Sequence, residues 1–202
     1  RYASRGLGDV YKRQVLYGAK AFLRPDNISG DLSSSEDALI NFFSSKKILP
    51  ETAIFAQCTS PLLTSDDVDK AIQKFFDKRY DSLFSASKFK GFIWNGSSEI
   101  VSGINHNEKE QRRRRQDIDF EVIENGGFYI FKIKEFMQKK NRFFGRIGFH
   151  LTENQMLEID NEDELQYARF LLRKEKREHS NFKHLFLDFD GVLTDNKVVT
   201  YN

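Results

Sequence analysis

Short apolar runs alternate with helix-periodic segments along residues 33–172, and this alternation constrains the fold more than any other feature of the sequence. The run Ala53 to Gln57 has the length of a buried strand and stops at a polar turn. After the turn, apolar residues recur at the spacing of one helix face: Val68, Ala71, Ile72, Phe75 and Phe76. Strand and helix signals that alternate about every 15 to 25 residues are typical of an α/β layer fold. We therefore predict an α/β domain over most of the chain.

Cap and strand signals give the approximate bounds of the other elements. Ser33 to Glu36 has the sequence of a capping box before an apolar helix face, and Thr64 with Asp67 has the same pattern before the second helix. Further strands are predicted at Asp81 to Ser87, Phe92 to Trp94, Gly127 to Phe131 and Gly148 to Leu151. The residues predicted on the inner side of a last helix are Leu165, Ala168 and Leu172.

Charge and cysteine content exclude several classes of protein. The 32 Lys and Arg residues are balanced by 30 Asp and Glu, so the net charge is only +2 and there is no chain-wide field to attract a nucleic acid or a membrane. No apolar run approaches the roughly 18 to 20 residues that a membrane helix needs. Cys58 is the only cysteine, which excludes an internal disulfide and a multi-cysteine zinc site. A single cysteine fits a reducing compartment, and we expect a cytoplasmic protein.

The two ends of the chain differ from its middle in their pattern of apolar and charged residues. Arg1 to Gln14 has no apolar periodicity and reads like translated library adapter, so we predict a leader that is not native; an ordinary native leader is the alternative. The charged run Arg173 to His179 is followed by a new apolar strand and turn, which indicates a domain boundary. The predicted division is a leader at 1–14, a first domain at 15–178 and the truncated start of a second domain at 179–202.

Polar side chains follow the first predicted strand, and strand ends are where ligands bind in open α/β sheets. Gln57, Thr59 and Ser60 offer one amide and two hydroxyls that can hold sugar or ribose hydroxyls. A polar turn fixed by Pro61 explains the same residues without a ligand. The serines at 33–35 are likewise explained as a helix cap.

Two acidic residues two positions apart form the clearest candidate for a metal site. Side chains two apart in an extended segment point to one side, so the carboxylates of Glu158 and Asp160 can reach one hard cation such as Mg²⁺. The acids that follow at 162–164 fall in the first turn of a helix, where negative charge complements the helix dipole. Only the first pair is therefore predicted to bind metal.

Four consecutive arginines, Arg112 to Arg115, form a basic run. Their forked guanidinium groups suit a polyphosphate, and a solvated loop or an RNA-contacting patch would have the same sequence. We expect the aromatic residues to lie in strand and helix stripes and not between the arginines, which argues against RNA. Phe143 and Phe144 beside Gly145 can line an apolar sugar pocket, although adjacent phenylalanines are more typical of a core.

Four sequence blocks, taken in order, resemble the acylneuraminate cytidylyltransferases, also called CMP-sialic acid synthetases. The blocks are Arg24-Pro25 with Asp31 to Glu36, AQCTSPLLTSDDVDKAI, RRQDIDFEVIENGGFYIF and LEIDNEDELQYA. The resemblance covers Val15 to about Leu172, and its specificity lies in the combination of blocks at these separations. It implies an α/β, Rossmann-like three-layer fold of the nucleotide-diphospho-sugar transferase kind with a mixed sheet. It also implies a homodimer that uses Mg²⁺ to transfer a cytidylyl group from CTP to a nine-carbon acid sugar, releasing pyrophosphate.

The same resemblance assigns roles to individual residues. It implies that Asp160, with Glu158, holds the metal on the phosphates, and that Arg115 is catalytic with Gln116 beside it at the substrates. The other substrate-binding residues that it implies are Ser34 and Ser35 on the nucleotide side and Gln57, Asn125, Tyr129, Phe143 and Phe144 around the acid sugar.

Two longer segments of the family pattern also bear on this chain. A nucleotide-binding loop of the form R-x-G-S-K-x-I-P-x-K-N is expected well before Val15, and the sequence does not contain it. Because the backbone amides of such a loop cradle the triphosphate, we expect the chain as written to show no CMP-sugar synthesis by itself. The segment Asn95 to Arg115 matches the place of an extended arm that reaches the partner subunit in relatives.

The C-terminal segment Asp188 to Asp195 (DFDGVLTD) resembles the first signature of haloacid-dehalogenase-like phosphatases. By this resemblance Asp188 is the nucleophile, Asp190 is the general acid and base, and both lie near Mg²⁺. The later signatures would fall beyond Asn202, so we expect no competent phosphatase domain in this chain.

Three alternatives to the sialic acid activity stay open from the sequence. The first is the same chemistry on legionaminic or pseudaminic acid. The second is a phosphatase of the haloacid-dehalogenase class as the defining activity. The third is an RNA-binding module that uses the arginine run.

Overall fold

A computed structural model describes residues 16–20, 22, 25–30, 33–96, 99–152 and 157–178. The predicted leader at 1–14 lies outside these residues. So do the predicted second domain at 179–202, with Asp188 and Asp190, and three residues of the first sequence block, Arg24, Asp31 and Leu32.

Helices and strands alternate along the described chain, as the sequence pattern predicts. The helices are α1 (Ser35–Ser44), α2 (Ser65–Asp77), α3 (Ile133–Lys139) and α4 (Glu162–Glu178). The strands are β1 (Thr52–Ala56), β2 (Ser82–Phe89), β3 (Trp94–Asn95), β4 (Ser102–Gly103), β5 (Glu121–Lys132) and β6 (Ile147–Leu151). Short 3-10 turns occupy Asp26–Ile28 and Arg115–Asp117. None of the described helices is both long and apolar enough to cross a membrane.

The main sheet has four strands in the order β1-β5-β2-β6. β5 runs antiparallel to both of its neighbours, whereas β2 and β6 are parallel. The sheet is therefore mixed, and the predicted fold class is confirmed. Because β1, β2 and β6 run in one direction and β5 in the other, the carboxyl ends of three strands meet the start of β5 at one edge. This edge, which we call the carboxyl edge, is where an α/β sheet places its ligands.

Helices cover both faces of the sheet and produce three layers. On one face, α1 and α3 pack Phe43 and Phe136 against Phe131 of β5. On the other face, α2 packs Ala71 and Phe75 against a second set of strand residues, which comprises Leu83, Phe128 and Ile130. A fully buried aromatic or aliphatic side chain contributes roughly 1.5 to 3 kcal/mol of transfer free energy, so these two clusters supply most of the force that holds the layers together.

Several element bounds differ from the prediction for local reasons. The α1 cap uses Ser34 with Asp37, one position later than predicted, because the Glu36 side chain instead pairs with Arg142. β5 starts six residues before the predicted Gly127, and the strand predicted at Phe92 to Trp94 is only Trp94–Asn95. The Thr64 and Asp67 capping box of α2 is confirmed. Phe76, predicted on the inner face of α2, is 57% exposed.

Residues 90–120 leave the sheet between β2 and β5 and form a small hairpin, which we call the arm. Its two strands pair antiparallel, with Trp94 opposite Gly103. The Asn105 side chain closes the hairpin: its Oδ1 accepts from the Ile93 N–H at 2.9 Å and its Nδ2 donates to the Gly91 carbonyl at 2.9 Å. The arm therefore has its own hydrogen-bonded frame.

Candidate functional site

The carboxyl edge gathers polar residues from four strands. Gln57 follows β1 and its N–H donates to the Gly127 carbonyl at 3.0 Å, which extends the β1–β5 pairing by one residue. Thr152 follows β6, and its N–H donates to the Ala86 carbonyl of β2 at 3.0 Å. Asn125 comes from the start of β5. The sequence places these residues far apart, and the mixed sheet brings them to one edge.

The E-N-G-G-F-Y segment forms an irregularity in β5. Phe84 of β2 pairs with Tyr129 and Ala86 pairs with Glu124, so residues 125–128 all lie opposite Ser85. The Ser85 hydroxyl accepts a hydrogen bond from the Phe128 N–H at 2.9 Å and so satisfies one donor of the displaced segment. A bulge of this kind bends its strand and re-aims side chains, which is a common feature beside active sites.

The Asn125 side chain fixes this bulge to the neighbouring strands. It is buried, and its Nδ2 donates to Ser87 Oγ at 3.1 Å and to Thr152 Oγ1 at 2.9 Å. Its Oδ1 accepts from the Gly127 N–H at 3.3 Å. Both amide hydrogens are thus engaged by protein partners, so this residue, which the resemblance assigns to the acid-sugar pocket, joins β5, β2 and the end of β6.

The two acidic residues predicted to bind metal lie against the turn that follows β1. The Ile159 N–H donates to the Thr59 carbonyl at 2.9 Å, and Ile159 itself is buried in a cluster with Leu165 and Ala168 of α4. Because side chains alternate along an extended segment, burial of Ile159 turns Glu158 and Asp160 together to the opposite side. Glu158 Oε1 lies 3.5 Å from Thr59 Oγ1.

Gly126 leaves the space that the Glu158 carboxylate occupies. Its φ is +68°, a left-handed conformation that favours glycine. A Cβ on this residue would lie 3.0 to 3.2 Å from the carboxylate atoms of Glu158. Because Gly126 has no side chain, the bulge in β5 leaves room for the Glu158 carboxylate.

The electrostatics of this acidic pair favour a bound cation. Partial burial raises the pKa of Glu158, and the negative charge of Asp160 raises that pKa further. Glu164 and Glu124 add smaller effects of the same sign. The side chain of Glu164 accepts from the backbone N–H groups of Asp160 and Asn161 at 2.7 and 3.1 Å, so it caps the start of α4.

The pair fits Mg²⁺ in the way that this ion is usually held on nucleotides. Among the described residues, no group of three or more His, Cys, Asp or Glu side chains is arranged to bind a metal. Mg²⁺ typically takes one or two carboxylates and completes its shell with substrate phosphates and water. Glu158 and Asp160 would supply the protein's share of such a shell.

An aromatic wall rises from the same region of the sheet. The Tyr129 hydroxyl donates a short hydrogen bond to Glu124 Oε1. Burial raises the pKa of the Tyr129 phenol, and the Glu124 carboxylate raises it further, so this phenol stays protonated at neutral pH. The Phe143 ring packs edge-on against Tyr129, with centroids 5.9 Å apart, and Phe144 is buried in the core. Phe143 and Phe144 thus pack in or against the hydrophobic core, as is typical of adjacent phenylalanines.

Arg142 connects this wall to the start of α1, and no sequence signal singled it out. Its guanidinium lies 4.3 Å from the Tyr129 ring centroid and 5.1 Å from that of Phe55. Its Nε donates to Glu36 Oε1 at 2.6 Å. Glu36 lies in the first turn of α1, beside Ser34 and Ser35, which the resemblance assigns to the nucleotide side. The Ser34 hydroxyl is engaged in the helix cap with Asp37.

The arginine run lies on the arm and not among the carboxyl-edge residues described above. Arg114 forms a two-bond pair with Asp117, at 2.6 and 3.1 Å, on the surface. Arg115 and Gln116 are exposed in a 3-10 turn, and within the described chain their side chains make no hydrogen bond or ion pair. No aromatic residue lies between the arginines in the sequence, but in the fold the Arg112 guanidinium lies 4.2 Å from the Phe92 ring centroid.

The Glu36 and Arg142 pair should make stability depend on acid pH. The hydrogen bond from Arg142 lowers the pKa of Glu36 below its ordinary 4.5, so the unfolded chain binds a proton more readily than the folded chain. The contribution is therefore complete above about pH 4.5 and is lost as the pH falls through the lowered value. Glu36→Gln should remove about 1 kcal/mol of the free energy of unfolding at pH 7 and flatten this acid dependence.

Urea denaturation at pH 7.0 and at a series of lower values measures the effect. Glu99→Gln is the matched control, since Glu99 is exposed and no side-chain contact of it is found in the described chain. An acid dependence equal in Glu36→Gln and in the unchanged protein would show that the ion pair contributes nothing to stability.

Structural comparison defines the class of fold first. A crystal structure of 4-diphosphocytidyl-2C-methyl-D-erythritol synthase from Anaerococcus prevotii matches with a TM-score of 0.56 at 12% sequence identity. The match covers 84% of this chain and 78% of that one. The chain therefore has the Rossmann-like fold of nucleotidyltransferases.

Sequence comparison then indicates the family. The chain is 28% identical over 175 residues to a pseudaminic acid cytidylyltransferase of Campylobacter jejuni, covering 82% of this chain and 74% of the relative. It is 30% identical over 157 residues to N-acylneuraminate cytidylyltransferase B of Danio rerio, covering 74% of this chain but only 36% of that protein. No protein-family model matches the chain. The chain is therefore similar to pseudaminic acid and N-acylneuraminate cytidylyltransferases over most of its length, which confirms the resemblance to that family found in the sequence.

Proposed function

We propose that the complete protein that carries this chain transfers a cytidylyl group from CTP to the anomeric hydroxyl of a nonulosonic acid, giving a CMP-sugar and pyrophosphate. The observation that carries the proposal is similarity to two cytidylyltransferases over most of this chain. The carboxyl edge supports it, because an acidic pair suited to a nucleotide-bound cation lies there beside polar side chains suited to a sugar.

The reaction requires positioning and charge neutralisation more than covalent chemistry. The anomeric oxygen forms a bond to the α-phosphorus, the bond from that phosphorus to the bridging oxygen breaks, and pyrophosphate carries the electron pair away. The hydroxyl proton is released. Mg²⁺, held by Glu158 and Asp160, would offset the negative charge on the phosphate oxygens. Gln57, which follows β1, would orient the acid sugar.

Activity with two acid sugars tests the substrate class. The complete protein that carries this chain is supplied with CTP, Mg²⁺ and either N-acetylneuraminate or pseudaminate, and pyrophosphate release is measured. We expect turnover with a nonulosonic acid. Pseudaminate is the second candidate because the Campylobacter jejuni relative bears that name. No pyrophosphate with either acid sugar would contradict the proposal.

Cation binding to the acidic pair should stabilise the fold. At ten times the dissociation constant, a cation that binds only the folded chain adds about 1.4 kcal/mol, which raises the melting temperature by a few degrees. We expect 5 mM Mn²⁺ or Mg²⁺ to produce this shift in the unchanged protein. The Glu158→Gln, Asp160→Asn double variant should lose it, because both carboxylates are then neutral amides.

Asp163→Asn is the matched control for this thermal measurement, since it removes an exposed acid three residues along that makes no side-chain contact in the described chain. Retention of the shift in the double variant would exclude the pair as the cation site.

We also propose a cytoplasmic homodimer in which the arm forms the contact. The support is the exposure of three aliphatic side chains on the arm, Ile100 at 88%, Val101 at 48% and Ile104 at 64%. Exposed apolar side chains that are grouped in this way are typical of interaction surfaces. Light scattering across a concentration series should report a dimer mass, and Ile100→Asp with Ile104→Asp should shift it to a monomer. A monomer at all concentrations would contradict this assembly.

A further inference from the structure

The arm contains a pocket of about 450 Å³ that the proposed function does not use. Its walls include two aromatic residues, Phe92 and Trp94, the imidazole of His106, and the side chains of Arg112 and Arg113. None of the carboxyl-edge residues lines it. The pocket is therefore separate from the carboxyl edge.

The aromatic walls are held in fixed positions. The His106 ring lies edge-on to both Phe92 and Trp94, with centroid distances of 4.9 and 4.7 Å. The Arg112 guanidinium lies over the Phe92 ring at 4.2 Å. Gly103 has no room for a Cβ, which would overlap the His106 carbonyl. Trp94 nevertheless remains 41% exposed, so part of its indole is open to a ligand.

Two arginines and two glutamates line the pocket. The Glu108 carboxylate accepts from the Gly103 N–H at 3.0 Å, and the Glu110 carboxylate accepts from the Asn107 side-chain amide at 2.9 Å, so both carboxylates are hydrogen-bonded to uncharged donors and not to the arginines. Within the described chain, neither Arg112 nor Arg113 forms an ion pair. Two guanidinium groups at a cavity wall are suited to a carboxylate or phosphate.

His106 offers the pocket a hydrogen-bond acceptor. Its Nδ1 lies 3.2 Å from Asn105 Oδ1, and because the Asn105 Nδ2 donates to the Gly91 carbonyl, this oxygen must accept. The tautomer that fits this contact has its proton on Nδ1, which leaves Nε2 as the acceptor. Nε2 is buried and has no partner among the described residues. A buried acceptor without a donor is unfavourable, and a ligand hydroxyl would satisfy it.

We propose that this pocket binds a small hydroxylated anion. Its carboxylate or phosphate contacts Arg112 and Arg113, one of its hydroxyls donates to His106 Nε2, and the apolar face of its ring lies over Trp94. Acid sugars and nucleoside monophosphates share this chemistry. The probes are therefore N-acetylneuraminate, CMP and inorganic phosphate, of which the last lacks both ring and sugar hydroxyls.

Intrinsic fluorescence reports directly on the pocket, because Trp94 is the only tryptophan in the chain. The Asp160→Asn variant of this chain is used throughout, so that binding at the carboxyl edge is weakened. We expect a saturable emission change with N-acetylneuraminate or CMP, and whichever of the two binds more tightly identifies the source. Inorganic phosphate should bind at least about 10-fold more weakly, since it keeps only the charge-assisted contacts.

Two variants assign the contacts. Arg113→Gln should weaken binding about 10-fold, and we expect it to leave the fold unchanged because Arg113 is exposed and makes no hydrogen bond or ion pair in the described chain. Lys109→Gln, which removes a charge from the same loop outside the pocket walls, should have little effect. His106→Phe keeps a ring at this position and should weaken the hydroxylated anions but not phosphate.

Two results would overturn the proposal. They are the absence of a saturable change up to 10 mM of any probe, and equal affinity in the Arg113→Gln variant. If His106→Phe does not fold, Arg113→Gln decides alone. Since no carboxyl-edge residue is involved, either outcome is independent of cytidylyl transfer.

Discussion

Asp160→Asn is expected to lower the rate of cytidylyl transfer by about 100-fold in the complete protein that carries this chain. The loss corresponds to about 2.7 kcal/mol of transition-state stabilisation. The Asp160 side chain is exposed and has no side-chain hydrogen-bond partner within the described chain, so its carboxylate is available to a cation. Asparagine keeps the shape but removes the charge, and a divalent cation on triphosphate depends on that charge.

The measurement is the rate of pyrophosphate release as Mg²⁺ is varied. If Asp160 helps to hold the cation, the variant should need more Mg²⁺ for half-maximal rate as well as reaching a lower maximum. Glu158→Gln should act in the same direction. Asp163→Asn should keep the unchanged rate and Mg²⁺ dependence, because it removes an equal charge from the same segment. An unaltered Mg²⁺ dependence in Asp160→Asn would exclude this carboxylate from the metal site.

Local sequence patterns predicted the elements that local forces determine. The Thr64 and Asp67 capping box and the apolar stripe of α2 were sufficient to predict that helix, since both involve neighbours within two turns. That Glu158 and Asp160 share a side of the chain stays a prediction from alternation, and the burial of Ile159 between them agrees with it. The pattern predicted Ser33 and Glu36 as the capping box of α1, whereas Ser34 and Asp37 form it. Glu36 pairs instead with Arg142, which lies 106 positions along the chain.

The rest of the site depends on which strands become neighbours, and no local pattern contains that information. Asn125 contacts Ser87 and Thr152 because β2 lies between β5 and β6. The bulge opposite Ser85 could not be predicted either, because it depends on a residue of another strand. The Ser85 hydroxyl of β2 accepts the Phe128 N–H in place of a backbone carbonyl. The glycines in E-N-G-G-F-Y were the available signal, because a glycine inside a strand pattern often marks a bulge.

The arginines show how charge alone can mislead. The four consecutive arginines lie on the arm. Arg142, which is isolated in the sequence, instead packs in the layered part of the fold, where it lies over the Tyr129 ring and pairs with Glu36. The Arg142 side chain is only 12% exposed, and two phenylalanines follow it in the sequence. Its role depends on a carboxylate from another element, which only the folded chain supplies.

Gly126→Ala should combine a loss of stability with displacement of Glu158. At a φ of +68°, an alanine strains the backbone, and its Cβ would lie 3.0 to 3.2 Å from the Glu158 carboxylate. We expect the free energy of unfolding to fall by about 2 kcal/mol, within the range for a non-glycine residue held in a left-handed conformation. Pyrophosphate release should fall with it, because the carboxylate must move away from the position it shares with Asp160.

A double-mutant cycle separates these two causes. In a Glu158→Ala background the crowded carboxylate is gone, so Gly126→Ala should cost only the backbone strain, about 1 kcal/mol. Gly96→Ala is the matched control, since a Cβ there meets nothing within 4 Å and its φ lies outside the left-handed region. Equal losses from Gly126→Ala in both backgrounds would show that the glycine serves the bulge alone. A smaller loss without Glu158 would mean that the acidic pair owes its position to the shape of β5.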